Sequence, residues 1–308
     1  MRSAFSKAIV DAAKVDPKVL LLTGDHGYAL FDEFRKLFPA QFINAGIAEQ
    51  NMVGVAAGLA KAGFKPIVYG LSAFVPVRVL EQIKMDVCYE NLPVVFIGDG
   101  AGVVYSSLGS SHQATEDIAM LRPLPNITIL SPSDAHEMEY ALKHALQFKE
   151  PVYVRIGKSD VGGVHQAVPT APIGDLLSVG AGSNKTTAFI ATGSMVNTAV
   201  KLARQLGDCT VLSMPTIKPF NGAQLLELAA EMDNLVVLEE HSIYGGIGGL
   251  VSELIASKSG VRARVIRHGM QDRFSEKCGS YPYLIREHQL DDVALLSQLK
   301  EVLQTEKK

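Results

Sequence analysis

Apolar positions along the chain follow two alternating rhythms. Short runs rich in Val, Ile, Leu and Phe recur at 18–23, 41–44, 66–70, 93–97, 127–131 and 151–155, and again at 187–191, 209–213, 234–239 and 261–267. Turn-forming residues flank most of them, so they read as strands. Between them the apolar residues take helical spacing, which predicts helices over 2–14, 30–38, 46–62, 73–91, 133–148, 193–206, 221–232, 245–257 and 289–305. Apolar strands separated by helices argue for parallel sheets covered on both faces. The helices also supply the long crossovers that parallel neighbours need. Both rhythms fail over 157–185, where Gly157, Gly162, Gly163, Pro169, Pro172, Gly174, Gly180 and Gly182 crowd together. The predicted class is α/β, with two domains that are each a mainly parallel sheet flanked by helices. Residues 1–160 form the first, 161–184 a linker with one short strand near 173–179, and 185–308 the second.

Composition narrows the function. With a net charge of −3 and no basic block beyond a solvated Lys307-Lys308 end, the chain lacks the electrostatic footprint of a nucleic-acid binder. No apolar run approaches the ~20 residues of a membrane span. Asp11 and Lys14 interrupt the N-terminal segment, which reads as an amphipathic helix of the mature protein rather than a signal core. Cys88, Cys209 and Cys278 are odd in number and far apart, as expected of reduced, cytoplasmic thiols.

Residues 46–52, Gly-Ile-Ala-Glu-Gln-Asn-Met, put Glu49 in the first turn of a helix built from Gly54, Ala56, Ala57, Gly58 and Ala60. Each interior glycine costs a helix about 1 kcal/mol against alanine, which is tolerable where the backbone must approach another surface closely. Core packing explains the small residues, and the helix N-terminus favours a carboxylate. Neither explains Glu-Gln-Asn at the first turn.

The order of strand 41–44, turn, Glu49 and small-residue helix resembles the glutamate motif of the transketolase family. The resemblance covers nearly the whole chain and implies a thiamine diphosphate-binding pyrimidine-type domain followed by a transketolase C-terminal-type domain. It implies that Glu49 hydrogen-bonds the pyrimidine nitrogen of thiamine diphosphate and shares a proton with it, which a dry site favours. Phe74, in Tyr-Gly-Leu-Ser-Ala-Phe, matches the aromatic residue that stacks on the pyrimidine. Leu71 stands where the family often has a second aromatic. Arg78, Glu81 and Gln82 resemble an Arg-x-x-Glu-Gln pattern and are read as packing against a partner chain.

His112, in Gly-Ser-Ser-His-Gln-Ala-Thr-Glu-Asp, resembles the family histidine beside the sugar hydroxyls, a place for proton transfer near neutral pH. Leu108 replaces an aspartate that recognises the C2 hydroxyl of the aldose acceptor, which implies an acceptor lacking that hydroxyl or branched there. Arg155 matches an arginine that holds a substrate phosphate, although a salt bridge is its plainer use. Asp25 and His26 fall at the carboxyl edge of the first strand, where ligands gather in open α/β sheets.

Gly98-Asp99-Gly100 followed by Asn126 imitates a thiamine diphosphate metal motif, but Ile127 stands where that motif ends in a second asparagine. His136-Glu137 with His144 has the wrong spacing for zinc. A Gly193-Ser194 turn at a helix entrance is a weak anion signal. Lys218-Pro219-Phe220, Glu239-Glu240-His241 and the Gly245–Gly249 stretch resemble the family's C-terminal domain, which mostly builds the dimer.

No segment matches the family's diphosphate domain. The resemblance therefore implies the C-terminal-half chain of a split, two-chain transketolase. Its partner, the N-terminal-half transketolase chain, would supply the diphosphate and Mg²⁺ site in an α2β2 assembly acting on sugar phosphates. Three other readings stay open: the β subunit of a 2-oxoacid dehydrogenase, a deoxyxylulose phosphate synthase-like enzyme, and a non-catalytic dimerisation module.

Overall fold

The computed structural model describes residues 1–304 except Ser159 and Arg262. Arg262 in the expected strand 261–267, Thr305 at the end of the expected last helix, and Lys307-Lys308 lie outside the described residues. The strands are β1 (Val19–Thr23), β2 (Phe42–Asn44), β3 (Lys65–Leu71), β4 (Val95–Asp99), β5 (Thr128–Leu130), β6 (Val152–Ile156), β7 (Leu177–Gly180), β8 (Thr187–Ala191), β9 (Thr210–Ser213), β10 (Thr216–Lys218), β11 (Asn234–Ser242) and β12 (Arg264–Met270). The helices are α1 (Arg2–Val15), α2 (Asp32–Leu37), α3 (Glu49–Lys61), α4 (Leu80–Gln82, continued as a π-helix over Ile83–Cys88), α5 (Asp117–Leu121), α6 (Ala135–Ala145), α7 (Met195–Gln205), α8 (Gly222–Glu231), α9 (Ile247–Ala256), α10 (Tyr281–Glu287) and α11 (Asp292–Gln304).

Two sheets result, in the orders β10-β5-β6-β4-β3-β1-β2 and β12-β11-β8-β9-β7. Neighbours are parallel except at one edge of each, where β10 runs against β5 and β7 against β9. β7 falls where the linker was expected to hold one short strand, and it pairs with β9 at the edge of the second sheet. One detail departs from the sequence reading: β10 has no counterpart among the expected strands. Flanked by Pro215 and Pro219, it is too short to show a rhythm, and proline is tolerated only at such an edge.

Alternation along the central strands divides the core of the first sheet. Leu20, Leu22, Val68, Phe96 and Tyr153 pack toward α3. Leu21, Ile67, Tyr69, Val95, Ile97, Val152 and Val154 pack toward α1 and α6. Burial on both faces is why these strands read as unbroken apolar runs. The α3 side continues into Ala188, Ile190, Leu235 and Val237 of the second sheet, so the two domains share a core. The other face of the second sheet packs Phe189, Val236 and Leu238 against α7 and α11.

Candidate active site

Four chain segments meet at the carboxyl edge of the first sheet. β1 leads to Asp25 and His26, β3 to Phe74, and β4 to the loop carrying His112, while α3 starts on Glu49 soon after β2. β2 and β3 flank β1 on opposite sides. The crossovers therefore reverse there, and this is where an open α/β sheet forms its ligand crevice.

Glu49 is 4% exposed, buried at the first turn of α3 beside Met52 and Val53. Its Oε2 accepts a hydrogen bond from Arg78 Nη1 at 2.9 Å. The same guanidinium lies 4.1 Å from the centroid of the Phe74 ring. His26 stacks on Phe74 at 5.8 Å between centroids, and His112 meets it edge-on at 5.3 Å. Glu49, Phe74, His26 and His112 thus form one cluster. Burial lowers the pKa of His26, against the pull of the Glu49 and Asp25 carboxylates, and favours its neutral ring.

Phe74 is held by its turn. Its N–H and that of Val75 both donate to the Leu71 carbonyl, at 2.8 and 2.7 Å. Leu71 itself is buried at the end of β3. The His112 loop is tied at its base by paired Gly102 and Ala114 hydrogen bonds of 2.8 and 3.0 Å. The second domain braces it further, with Ser275 Oγ donating to Gln113 Oε1 at 2.8 Å. Leu108 projects from this loop with 52% of its surface exposed. Asp25 is exposed and accepts from the Tyr28 hydroxyl.

Arg155 departs from expectation. It is 2% exposed, its Nε donates to Asp117 Oδ2 at 2.8 Å, and its Nη2 donates to the Glu240 carbonyl at 2.9 Å. Tyr153 donates its hydroxyl to the same Asp117 oxygen at 2.7 Å. The guanidinium is committed to the joint between the domains, and its burial leaves it closed to a substrate phosphate. Arg78, expected to pack against a partner chain, pairs with Glu49 within this chain. Its place four positions after Phe74, just past the turn, was the available signal.

Glu239, Glu240 and His241 line the same joint. Glu240 accepts from Val103 N–H at 2.9 Å and from the Tyr281 hydroxyl at 2.7 Å. Glu239 accepts from Ile247 and Gly248 N–H at 2.8 and 2.9 Å, yet burial outweighs those donors and pushes its pKa up to about 7. Lys218 Nζ donates to the Arg122 carbonyl at 3.1 Å. Glu240, His241 and Lys218 therefore tie the two domains of one chain together, while Glu239 holds the start of α9.

Asp99 ends β4, while Asn126 precedes β5, so they sit at opposite edges of parallel strands. Asp99 is occupied by Arg2, Tyr69 and Tyr105 at 2.7 to 3.0 Å. His144 Nδ1 pairs with the Tyr140 carbonyl at 2.9 Å, and Glu137 turns inward to Ser133 N–H at 2.7 Å. Among the described residues no three His, Cys, Asp or Glu side chains converge as metal ligands.

Residues 1–163 match the family model "Transketolase, pyrimidine binding domain", and residues 181–292 match "Transketolase, C-terminal domain". The chain is 35% identical over 271 residues to one of the subunits of the apulose-4-phosphate transketolase of Phocaeicola vulgatus, covering 86% of each. It is also 35% identical over 290 residues to the 1-deoxy-D-xylulose-5-phosphate synthase of Desulforudis audaxviator, covering 92% of this chain but only 45% of that protein. A solved structure described as a split gene transketolase, an inactive beta4 tetramer, superposes with a TM-score of 0.86 at 31% identity, covering 98% of this chain and 97% of that one. The chain belongs to the transketolase family and has the layout of the C-terminal-half subunit of its split, two-chain members.

Proposed function

We propose that this chain is the pyrimidine-side subunit of a thiamine diphosphate-dependent transketolase. It would transfer a two-carbon ketol unit from a ketose phosphate to an aldehyde or ketone acceptor. One observation carries the reading: a single planar group, the Arg78 guanidinium, spans the buried Glu49 carboxylate and the face of Phe74. An aminopyrimidine ring makes the same two demands, a carboxylate at its edge and an aromatic on its face. The residues present fit that end of the coenzyme. They do not fit the metal end, which we assign with Mg²⁺ to a partner subunit.

The bound coenzyme supplies a nucleophilic carbon. Glu49 would share a proton with the pyrimidine nitrogen, and Phe74 would fix the ring plane by stacking worth about 1 kcal/mol beyond burial. His112 and His26 move protons at the sugar hydroxyls. Buried Leu71 would line the pyrimidine side of the site, and exposed Asp25 and Leu108 would meet the sugar.

A partner surface is supported by apolar groups left in water. Ile47, Val55, Met85 and Tyr89 are exposed, and, the backbone of α3 and the adjoining residues aside, no described atom lies within 4 Å of where a side chain would start at Gly54 or Gly58. We take the partner to be the N-terminal-half transketolase chain, assembled as α2β2 with self-association through the C-terminal domains. Residues 1–160 and 185–308 serve as the two working domains, joined through 161–184. Three free thiols support a cytoplasmic setting, and no helix among the described residues is long and apolar enough to cross a membrane.

The test is to assay ketol transfer by this chain alone and mixed with a chain bearing a Gly-Asp-Gly…Asn-Asn motif, with thiamine diphosphate and Mg²⁺ added. Turnover is expected only in the mixture, and turnover by the isolated chain refutes the half-site. The likeness to the synthase favours a second reading, formation of 1-deoxy-D-xylulose 5-phosphate. Appearance of that product in the same mixture would select it.

A further inference from the structure

We infer that Arg78 is a built-in stand-in for the coenzyme's pyrimidine ring, filling its place in the free chain and swinging out when the ring enters. This rests on the reading of Glu49 and Phe74 proposed above. Arg78 Nη1 holds Glu49 Oε2 at 2.9 Å while the guanidinium carbon lies over the Phe74 ring, 4.1 Å from its centroid and well within cation–π range. Two plates cannot occupy one layer over the same ring, and Oε2 cannot serve both at full strength. Entry of the coenzyme is therefore an exchange.

The chemistry of the free chain explains the need for a stand-in. A carboxylate that is 4% exposed is costly without a partner. Arg78 satisfies it from outside with a flat cation whose N–H fork suits a carboxylate and whose plane suits an aromatic face. The side chain can leave without disturbing the fold. It is 46% exposed and springs from a single 3₁₀ turn, Val77–Val79, at the lip of the site. Its backbone stays put while a long, flexible stem rotates into water.

The exchange lowers the apparent affinity for coenzyme by the fraction of chains in which the site is open. A half-exposed ion pair and one cation–π contact together hold the closed form by roughly fivefold. Arg78 also differs from a residue that merely orients Glu49, because an orienting residue helps binding and a stand-in competes with it.

The experiment measures the dissociation constant of thiamine diphosphate by calorimetry on the full chain assembled with its partner, in the presence of Mg²⁺. Wild type is compared with Arg78→Ala, Arg78→Lys and Glu49→Ala. Arg78→Ala is expected to bind about fivefold tighter, and Arg78→Lys, which keeps the charge but loses the flat fork, to fall between. Unchanged or weaker binding in Arg78→Ala overturns the inference. If Glu49→Ala weakens coenzyme binding while Arg78→Ala does not tighten it, only the stand-in falls. If Glu49→Ala changes neither affinity nor turnover, the reading of the whole site falls with it.

Discussion

Replacing Asp117 by alanine probes the joint on which the site depends. Asp117 is fully buried and receives Arg155 Nε at 2.8 Å and the Tyr153 hydroxyl at 2.7 Å on one oxygen. Its removal strands a guanidinium that is itself 2% exposed, with the Glu240 carbonyl at 2.9 Å its one remaining hydrogen-bond partner among the described residues. Breaking one side of a buried pair costs about 3–5 kcal/mol, and the orphaned hydroxyl adds about 1 kcal/mol. The two losses share an atom and are not additive, so the expected cost is ~4 kcal/mol. Urea unfolding followed by circular dichroism measures it through the midpoint and slope. Asp117→Ala with Arg155→Met should recover most of the loss, because a packed apolar replacement of a buried pair is near neutral. A cost below about 1 kcal/mol for Asp117→Ala, or no recovery in the double variant, would refute the structural role given to Arg155.

Three further outcomes follow from the same contacts. His241 is fully buried, with Ala119 N–H donating to Nε2 at 3.3 Å and Nδ1 facing the Ser242 carbonyl at 2.8 Å. Burial pushes its pKa down to about 4. Because the folded value lies below the unfolded one, its contribution is complete above about pH 6.5 and is lost as pH falls toward 4, by about 3 kcal/mol. The urea midpoint should drop across that window, and His241→Gln should flatten the fall. Asp134 caps α6 through His136 and Glu137 N–H at 3.0 and 2.9 Å and also ties down Val164 and His165 N–H at 2.9 Å each. Asp134→Ala should therefore cost ~3 kcal/mol in urea unfolding, and Asp134→Asn clearly less. Leu108→Asp should shift kcat/KM by about tenfold toward aldose phosphates bearing a C2 hydroxyl. An unchanged ratio would remove Leu108 from acceptor choice.

The central strands and the helices around them were legible because each carries one clean rhythm. Leu20 to Leu22 and Val152 to Val154 are apolar on both faces, and α3 alternates buried Met52, Val53, Ala56 and Ala57 with exposed Asn51, Gly54 and Gly58. Glu49, Phe74 and His112 were legible as a motif, and their meeting depends on parallel strands ending at one edge. What was not legible depends on long-range pairing. β10 exists only because Thr216 finds Leu130 across the domain joint. Arg155 and Asp117 stand 38 positions apart, and nothing local says that the arginine turns inward. The single charged group on Phe74 was likewise hidden, since Arg78 reads equally well as a surface residue until α3 brings Glu49 beside it.

The most direct measurement is a crystal structure of this chain assembled with its partner, thiamine diphosphate and Mg²⁺. The Glu49 carboxylate is expected at about 2.6–3.2 Å from the ring nitrogen of the pyrimidine, with Phe74 against the ring face and the metal held by the other chain. A coenzyme bound wholly within the partner, with Glu49 still buried and remote from it, would contradict the account.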